Sequence, residues 1–281
     1  MTVQPLSQSM ECTGPILDAR TLAPLRHVEA GALARVELER FLQLLESLGP
    51  EDWERPTLCT AWSVRDILAH QAGAYRAGAS FAELRHQFSQ KVPPGCEMID
   101  VVNALQIAER AGRTPAELLA ELRDVGPRAI AARQRIPWLL RNLPLPIPGL
   151  GWCRLRYLTD EIFLRDTWSH RVDVSHATGR PLLLTPEHDG RFTALIGRDL
   201  ARRLAPKLDG SAVLFDLEGP AGGRFRMGQA TRPAASVAMD AIDFHLRVSA
   251  RITAEQALAR SRVGGDAALA AYVLQHIFVP Y

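Results

Sequence analysis

Asp166 and His170 stand four residues apart in "FLRDTWSHRVDVSHATGRP", and Asp173 follows at the next helical step. With 3.6 residues per turn, positions 166, 170, 173 and 177 form one narrow stripe. An aspartate and a histidine at i and i+4 reach toward the same point in space. That is the geometry by which one helix offers a carboxylate oxygen and an imidazole nitrogen to a single cation. A second source of ligands is "WSVRDILAH", which ends on His70. His70 falls three residues after Ile67 and four before Ala74, on or beside the apolar face of its helix. Two imidazoles and one carboxylate suit a divalent transition ion, zinc first, with a fourth position open. Asp173 has two readings at this stage: it orients an imidazole, or it pairs with Arg171 or Arg165.

These residues need rigid helices to carry them. Around His70 the start signal is complete. Ser63 suits the N-cap, Asp66 three residues later makes a capping-box-like pair, and Trp62 and Ile67 occupy the staple positions. A helix is predicted from Ser63 to about Gln87. Before it, residues 20–48 repeat apolar side chains at helical spacing, with Val28, Leu33, Val36, Phe41, Leu44, Leu45 and Leu48 on one face and Gly49–Pro50 as the stop. A third helix starts near Met98, is interrupted before Thr114–Pro115, and resumes to about Arg133. The proline-rich "IPWLLRNLPLPIPG" reads as a loop packed by Trp138 and its leucines. A fourth helix is expected from about Trp152 to Thr178, closed by Gly179. Four long helices imply a bundle.

After Pro181 the texture changes. A helix opened by Thr185 and Pro186 is followed by strand-like "SAVLFDLEG", "GRFRMG" and "ASVAMD", then by three further helical stretches. "GPAGG" lacks the strand-to-helix setting of a phosphate loop and reads as a hairpin turn. The expected fold class is therefore α+β. Residues 1–20 read as a loose tail, 21–181 as a helical bundle and 182–281 as a small α+β domain.

Composition narrows the function. The 281 residues carry 33 basic and 31 acidic side chains, and the net charge of +2 is too even for a dedicated nucleic-acid binder. Cys12, Cys59, Cys96 and Cys153 are scattered with no CxxC pair, which fits neither a structural zinc knot nor a disulfide scaffold. A reducing cytoplasm is the expected setting. No long apolar run suggests a signal peptide or a membrane span, so no membrane partner is expected, and a monomer is the default.

The same motifs carry a resemblance. "LCTAWSVRDILAHQAG" and "YLTDEIFLRDTWSHRVDVSHATGRPL" resemble the two ligand-bearing helices of the DinB-like, mycothiol-dependent maleylpyruvate isomerase family. "DLEGPAGGRFRMG", "AIDFHLRVSAR" and the closing "VPY" are similar to its appended domain, which resembles sterol-carrier-protein-2 folds. The likeness spans about residues 22–281. It implies a DinB-like four-helix bundle followed by a sterol-carrier-protein-2-like α+β domain, with His70, Asp166 and His170 as metal ligands. It further implies mycothiol or a similar thiol as cosubstrate, held as a metal-bound thiolate and added to a small electrophilic substrate by an isomerase or S-transferase. Arg251 would hold a carboxylate of substrate or thiol. Two positions depart from the family. Its usual glutamate ligand is here Asp166, one methylene shorter, and its late "SGR" is Ser249, Ala250 and Arg251. Two other functional readings use the same bundle: a non-catalytic protein that sequesters a small molecule, and a hydrolase acting through a metal-bound hydroxide.

Overall fold

The computed structural model describes residues 14–59, 61–147 and 150–280. The chain divides into two compact units. One comprises Leu25–Leu183; the other joins Leu184–Val279 to the N-terminal residues up to Pro24. The first strand, β1 (Ile16–Asp18), belongs to the second unit.

The helical unit holds α1 (His27–Glu46), α2 (Val64–Ala79), α3 (Phe81–Phe88), α4 (Met98–Ala108), α5 (Pro115–Gln134), the single turn α6 (Trp138–Arg141), a hairpin of β2 (Pro144–Ile147) and β3 (Gly151–Arg154), and α7 (Phe163–Thr178). The four long helices α1, α2, α5 and α7 form the bundle, α2 packing on α5 and α7, and α1 on α5 and α7. Its core includes Phe41, Leu45, Ile67, Leu68, Leu118, Leu122 and Trp168, all essentially inaccessible. Ser63 accepts from the Asp66 amide and Thr114 from the Glu117 amide, each within a full capping box. Gly179 adopts φ +67°, the left-handed C′ conformation that glycine takes without penalty.

Several expectations are corrected. The helix predicted to reach Gln87 breaks at Ser80, whose extended backbone caps α3 through the Glu83 amide. The loop before α7 is a hairpin. The fourth helix starts later than Trp152, which lies on β3, and enters through a π-helical stretch at Tyr157–Ile162. Trp138 does not pack the loop but stands in solvent. On α1, Val28 and Val36 are exposed while Glu37 is buried, so the core face is rotated from the one the valines suggest. The cause is an ion pair. Glu37 Oε1 and Oε2 accept from Arg171 Nε and Nη2 of α7 at 2.6 and 3.2 Å, and Arg171 Nη1 donates to the Leu183 carbonyl at 2.9 Å.

The second unit is an α+β fold. Strands β4 (Ala212–Glu218), β5 (Gly223–Gly228), β6 (Ala235–Asp240) and β7 (Arg262–Gly265) join β1 in one sheet of order β1-β5-β4-β6-β7. β4 pairs antiparallel with β5 and parallel with β6, burying Val213, Phe215 and Leu217 on one face. Helix α8 (Asp189–Leu204) packs on β5, and α9 (Ala241–Val248) and α11 (Ala267–His276) pack on β6, with the short α10 (Ala254–Ala259) between them in sequence. Residues 1–20 are therefore not all tail. Ile16–Asp18 extend the sheet edge in parallel with β5, and Asp18 is held by Arg226 at 2.7 Å. Three residues are too few to show a strand period; the anchor is a charge 208 positions away. Residues 1–13 lie outside the described residues.

Candidate metal centre

His70 sits on the second turn of α2, placed by the Ser63 cap, and Asp166 and His170 sit on α7, clamped to α1 by the Glu37–Arg171 pair. The structure brings the three together: one ligand atom from each lies within 4.8 Å of the others. His70 Nε2 is 3.4 Å from Asp166 Oδ2, and His170 Nε2 is 3.4 Å from Asp166 Oδ1. These separations are long for hydrogen bonds, which centre near 2.9 Å. Each is close to the roughly 3.4 Å between neighbouring ligands of an ion at about 2.0–2.2 Å, and they run to the two different oxygens of Asp166. Both imidazoles are nearly inaccessible, while the Asp166 side chain keeps 19% exposure. Trp62, which the sequence marks only as a staple residue, lies against both rings, with centroids 4.9 Å from His70 and 5.6 Å from His170.

Each candidate ligand is oriented from behind. His170 Nδ1 is 3.0 Å from Asp173 Oδ2; a carboxylate only accepts, so the proton sits on Nδ1 and Nε2 faces the centre. Of the two readings of Asp173, the imidazole partner is present. Cys59 Sγ donates to the same Asp173 oxygen at 3.4 Å, so it stands behind His170 as well. Asp166 Oδ2 accepts from Gln71 Nε2 at 2.6 Å, and Gln71 Oε1 in turn accepts from Thr167 Oγ1 at 3.1 Å.

For His70 the proton is placed by a chain of neutral amides. Gln87 Nε2 donates to the Gly73 carbonyl at 3.1 Å and to Glu83 Oε1 at 2.9 Å, both pure acceptors. Gln87 Oε1 must then accept, and it does so from Gln106 Nε2 at 2.7 Å. Gln106 Oε1 is left facing His70 Nδ1 at 2.8 Å, so Nδ1 carries the proton. His70 Nε2, buried and with no hydrogen-bond partner, holds its lone pair toward Asp166 and His170. An orphaned nitrogen in that place fits a metal ligand. Gly73 permits the arrangement, because a Cβ there would fall 2.7 Å from Gln106 Cβ and Cγ. Replacing Gln106 by leucine is expected to weaken zinc binding about 10- to 100-fold, the usual effect of losing a partner behind a ligating imidazole. A competition titration against a chromophoric chelator measures it; an unchanged Kd would show that the amide chain does not act on the ligand.

The charges of the trio depend on one another. Burial pushes the Asp166 carboxyl upward, but the His70 and His170 imidazoles override it and hold the group well below the usual carboxylate range. Burial likewise lowers His170, and the neighbouring Asp166 carboxylate outweighs this and raises it well above 6.5. The lowered Asp166 contributes stability above its unfolded value near 4, lost as pH falls through the folded one. The raised His170 contributes fully below about 6.5 and loses its contribution as pH rises through its folded value. Without metal, the pair therefore stabilises the fold most from about pH 4 to 6.5. Metal must displace the His170 proton, so affinity should rise with pH by up to about tenfold per unit until that proton is gone. Zinc titrations at pH 6, 7 and 8 test this, and a flat profile would exclude His170 as a ligand.

Arg251 lies in the other unit, half-buried in the turn after α9, where its amide donates to the Leu246 carbonyl at 2.8 Å. Ala250 before it adopts φ +59°. Ala250 thus holds a left-handed conformation that glycine would take without strain, at a cost of roughly 1–2 kcal/mol.

A profile of the mycothiol maleylpyruvate isomerase N-terminal domain matches residues 34–175, just over half of the chain and the stretch holding all three ligand candidates. The chain belongs to that family. Its fold is also that of two solved structures. A histidine-to-alanine variant of the mycothiol-dependent maleylpyruvate isomerase superposes with a TM-score of 0.58 at 12% identity, over 89% of this chain and 97% of that one. The unmodified mycothiol-dependent maleylpyruvate isomerase gives 0.56 at 13% identity, over 84% and 93%. A search of curated proteins found no match.

Proposed function

We propose that this protein is a divalent-metal-dependent enzyme that uses mycothiol, or a similar small thiol, to attack an electrophilic substrate of the maleylpyruvate type. The observation that carries the reading is the convergence of His70 Nε2, Asp166 and His170 Nε2 within 4.8 Å, with both imidazole protons held on the far nitrogens. Two nitrogens and one oxygen favour zinc. A zinc ion held there would lower the pKa of a thiol well below its usual value near 8.5 and keep it as thiolate at neutral pH.

The chain's own groups do the rest. Asp166 offsets cationic charge, and Gln71 fixes its carboxylate plane through Oδ2. Trp62 covers the two rings and keeps water from them. Arg251 is proposed to hold a substrate carboxylate, as a guanidinium fork suits that partner. Isomerisation then needs only three events: the thiol sulfur adds to a conjugated double bond, the new single bond rotates, and the thiol leaves with the double bond restored. An S-transferase stops after the first. A reducing cytoplasm would keep such a thiol available.

The test follows consumption of maleylpyruvate by its absorbance in zinc-loaded protein, with and without mycothiol. Turnover is expected only with both thiol and zinc. A reaction of equal rate without any thiol would overturn the proposal.

A further inference from the structure

Residues 135–147 and 150–156 pack little of their apolar surface. Trp152 is 76% exposed, Leu139 71% and Trp138 66%. Hydrogen bonds from the Leu155 amide to the Leu143 carbonyl (3.1 Å) and from Arg154 Nη1 to Asn142 Oδ1 (3.1 Å) tie the β2–β3 hairpin to the end of α6, so these side chains belong to one projecting piece. The same stretch contains four arginines and no acidic residue, in a chain whose net charge is only +2. Arg135, Arg154 and Arg156 are exposed, while Arg141 turns inward to Asp160 at 3.4 Å.

Three kinds of occupant fit an apolar projection: a second copy of the chain, another protein, or a lipid surface. The β2 edge of the hairpin is closed to strand pairing with another chain. The Leu143 carbonyl accepts from the Leu155 amide, so alternate residues from Leu143 face β3, and Pro144 and Pro146 turn their missing donors to the free edge of β2. A neighbouring strand would find no N–H there. Charge decides between the remaining options. Tryptophan and leucine beside unopposed arginines are the composition of an interfacial anchor, with indoles at headgroup depth and guanidinium groups on lipid phosphates.

We propose that α6 and the β2–β3 hairpin dock this protein onto the surface of an anionic bilayer. Among the described residues no helix is long and apolar enough to cross a membrane. The expectation of no membrane partner rests on that same lack of a span, and docking at the surface requires none. The inference stands on the hairpin alone and is independent of the metal reading.

Flotation of the full chain with vesicles of phosphatidylglycerol and phosphatidylcholine, against vesicles of phosphatidylcholine alone, tests it. Binding is expected to the anionic vesicles, to weaken with salt, and to fall about 25-fold or more in Arg154→Glu/Arg156→Glu, since each arginine is worth about five-fold in partitioning. Trp138→Ser/Trp152→Ser should lose at least about ten-fold while keeping its circular dichroism and zinc content, because the buried apolar area drives insertion. Absence of flotation, or equal flotation of the tryptophan variant, overturns the proposal. So does sedimentation velocity showing a dimer that the tryptophan substitutions dissolve, which would assign the face to a second copy.

Discussion

Protein carrying alanine at position 170 is expected to emerge from chelator-free purification without zinc, and the unaltered chain is expected to hold about one equivalent. The free energy of a complete zinc site, about 10–16 kcal/mol, spread over four ligands leaves about 3–4 kcal/mol for each. Loss of one imidazole should therefore weaken binding about 100- to 1,000-fold. Asp166→Ala should do the same, with an additional effect on His170: its raised pKa depends on the Asp166 carboxylate and should fall when that charge is removed. His176→Ala, an exposed position near the end of the same helix, should leave the zinc content intact. Elemental analysis of the three variants settles the matter. Equal zinc in His170→Ala and the parent would show that the imidazole is not a ligand.

The second large effect is expected 134 residues from Arg171 in sequence, at Glu37. Both side chains of this pair are essentially inaccessible. Glu37→Ala strands a guanidinium in the bundle core, which should cost about 3–5 kcal/mol. For a chain of this size that lowers Tm by roughly 6–20 °C, read by circular dichroism. Glu37→Leu combined with Arg171→Leu should recover most of the loss, since replacing both charges by apolar groups leaves nothing unpaired. A single variant melting within about 2 °C of the parent would mean that the pair does not hold the helix. Arg171 adjoins His170, so weaker zinc binding in Glu37→Ala would show that the same contact sets the height of α7.

Parts of this were legible in the sequence for identifiable reasons. The Ser63 cap and the i,i+4 spacing of Asp166 and His170 are local, and local patterns survive folding unchanged. The β4, β5 and β6 strands were legible from their alternation and from the glycine-rich turn between β4 and β5. Glu37 was not, because a charged residue on an apolar face reads as solvent-facing until its partner 134 positions away is known. Gln87 and Gln106 were not, because amides carry no pattern that marks an orienting role. Trp62 was read correctly as a flank of the cap, yet its contact with both imidazoles depends on how α2 meets α7. Ile16–Asp18 were too short to show a period and are fixed by a distant arginine.

The two imidazoles differ in what keeps them facing inward. Behind His170 stands a carboxylate, so acid strong enough to neutralise Asp173 would release that ring. Behind His70 stand two carboxamides, and the second, Gln87, divides its amide donors between the Gly73 carbonyl and the Glu83 carboxylate. Acid thus reaches one ring through its immediate neighbour and the other only across two intervening amides, for as long as α2, α3 and α4 remain packed.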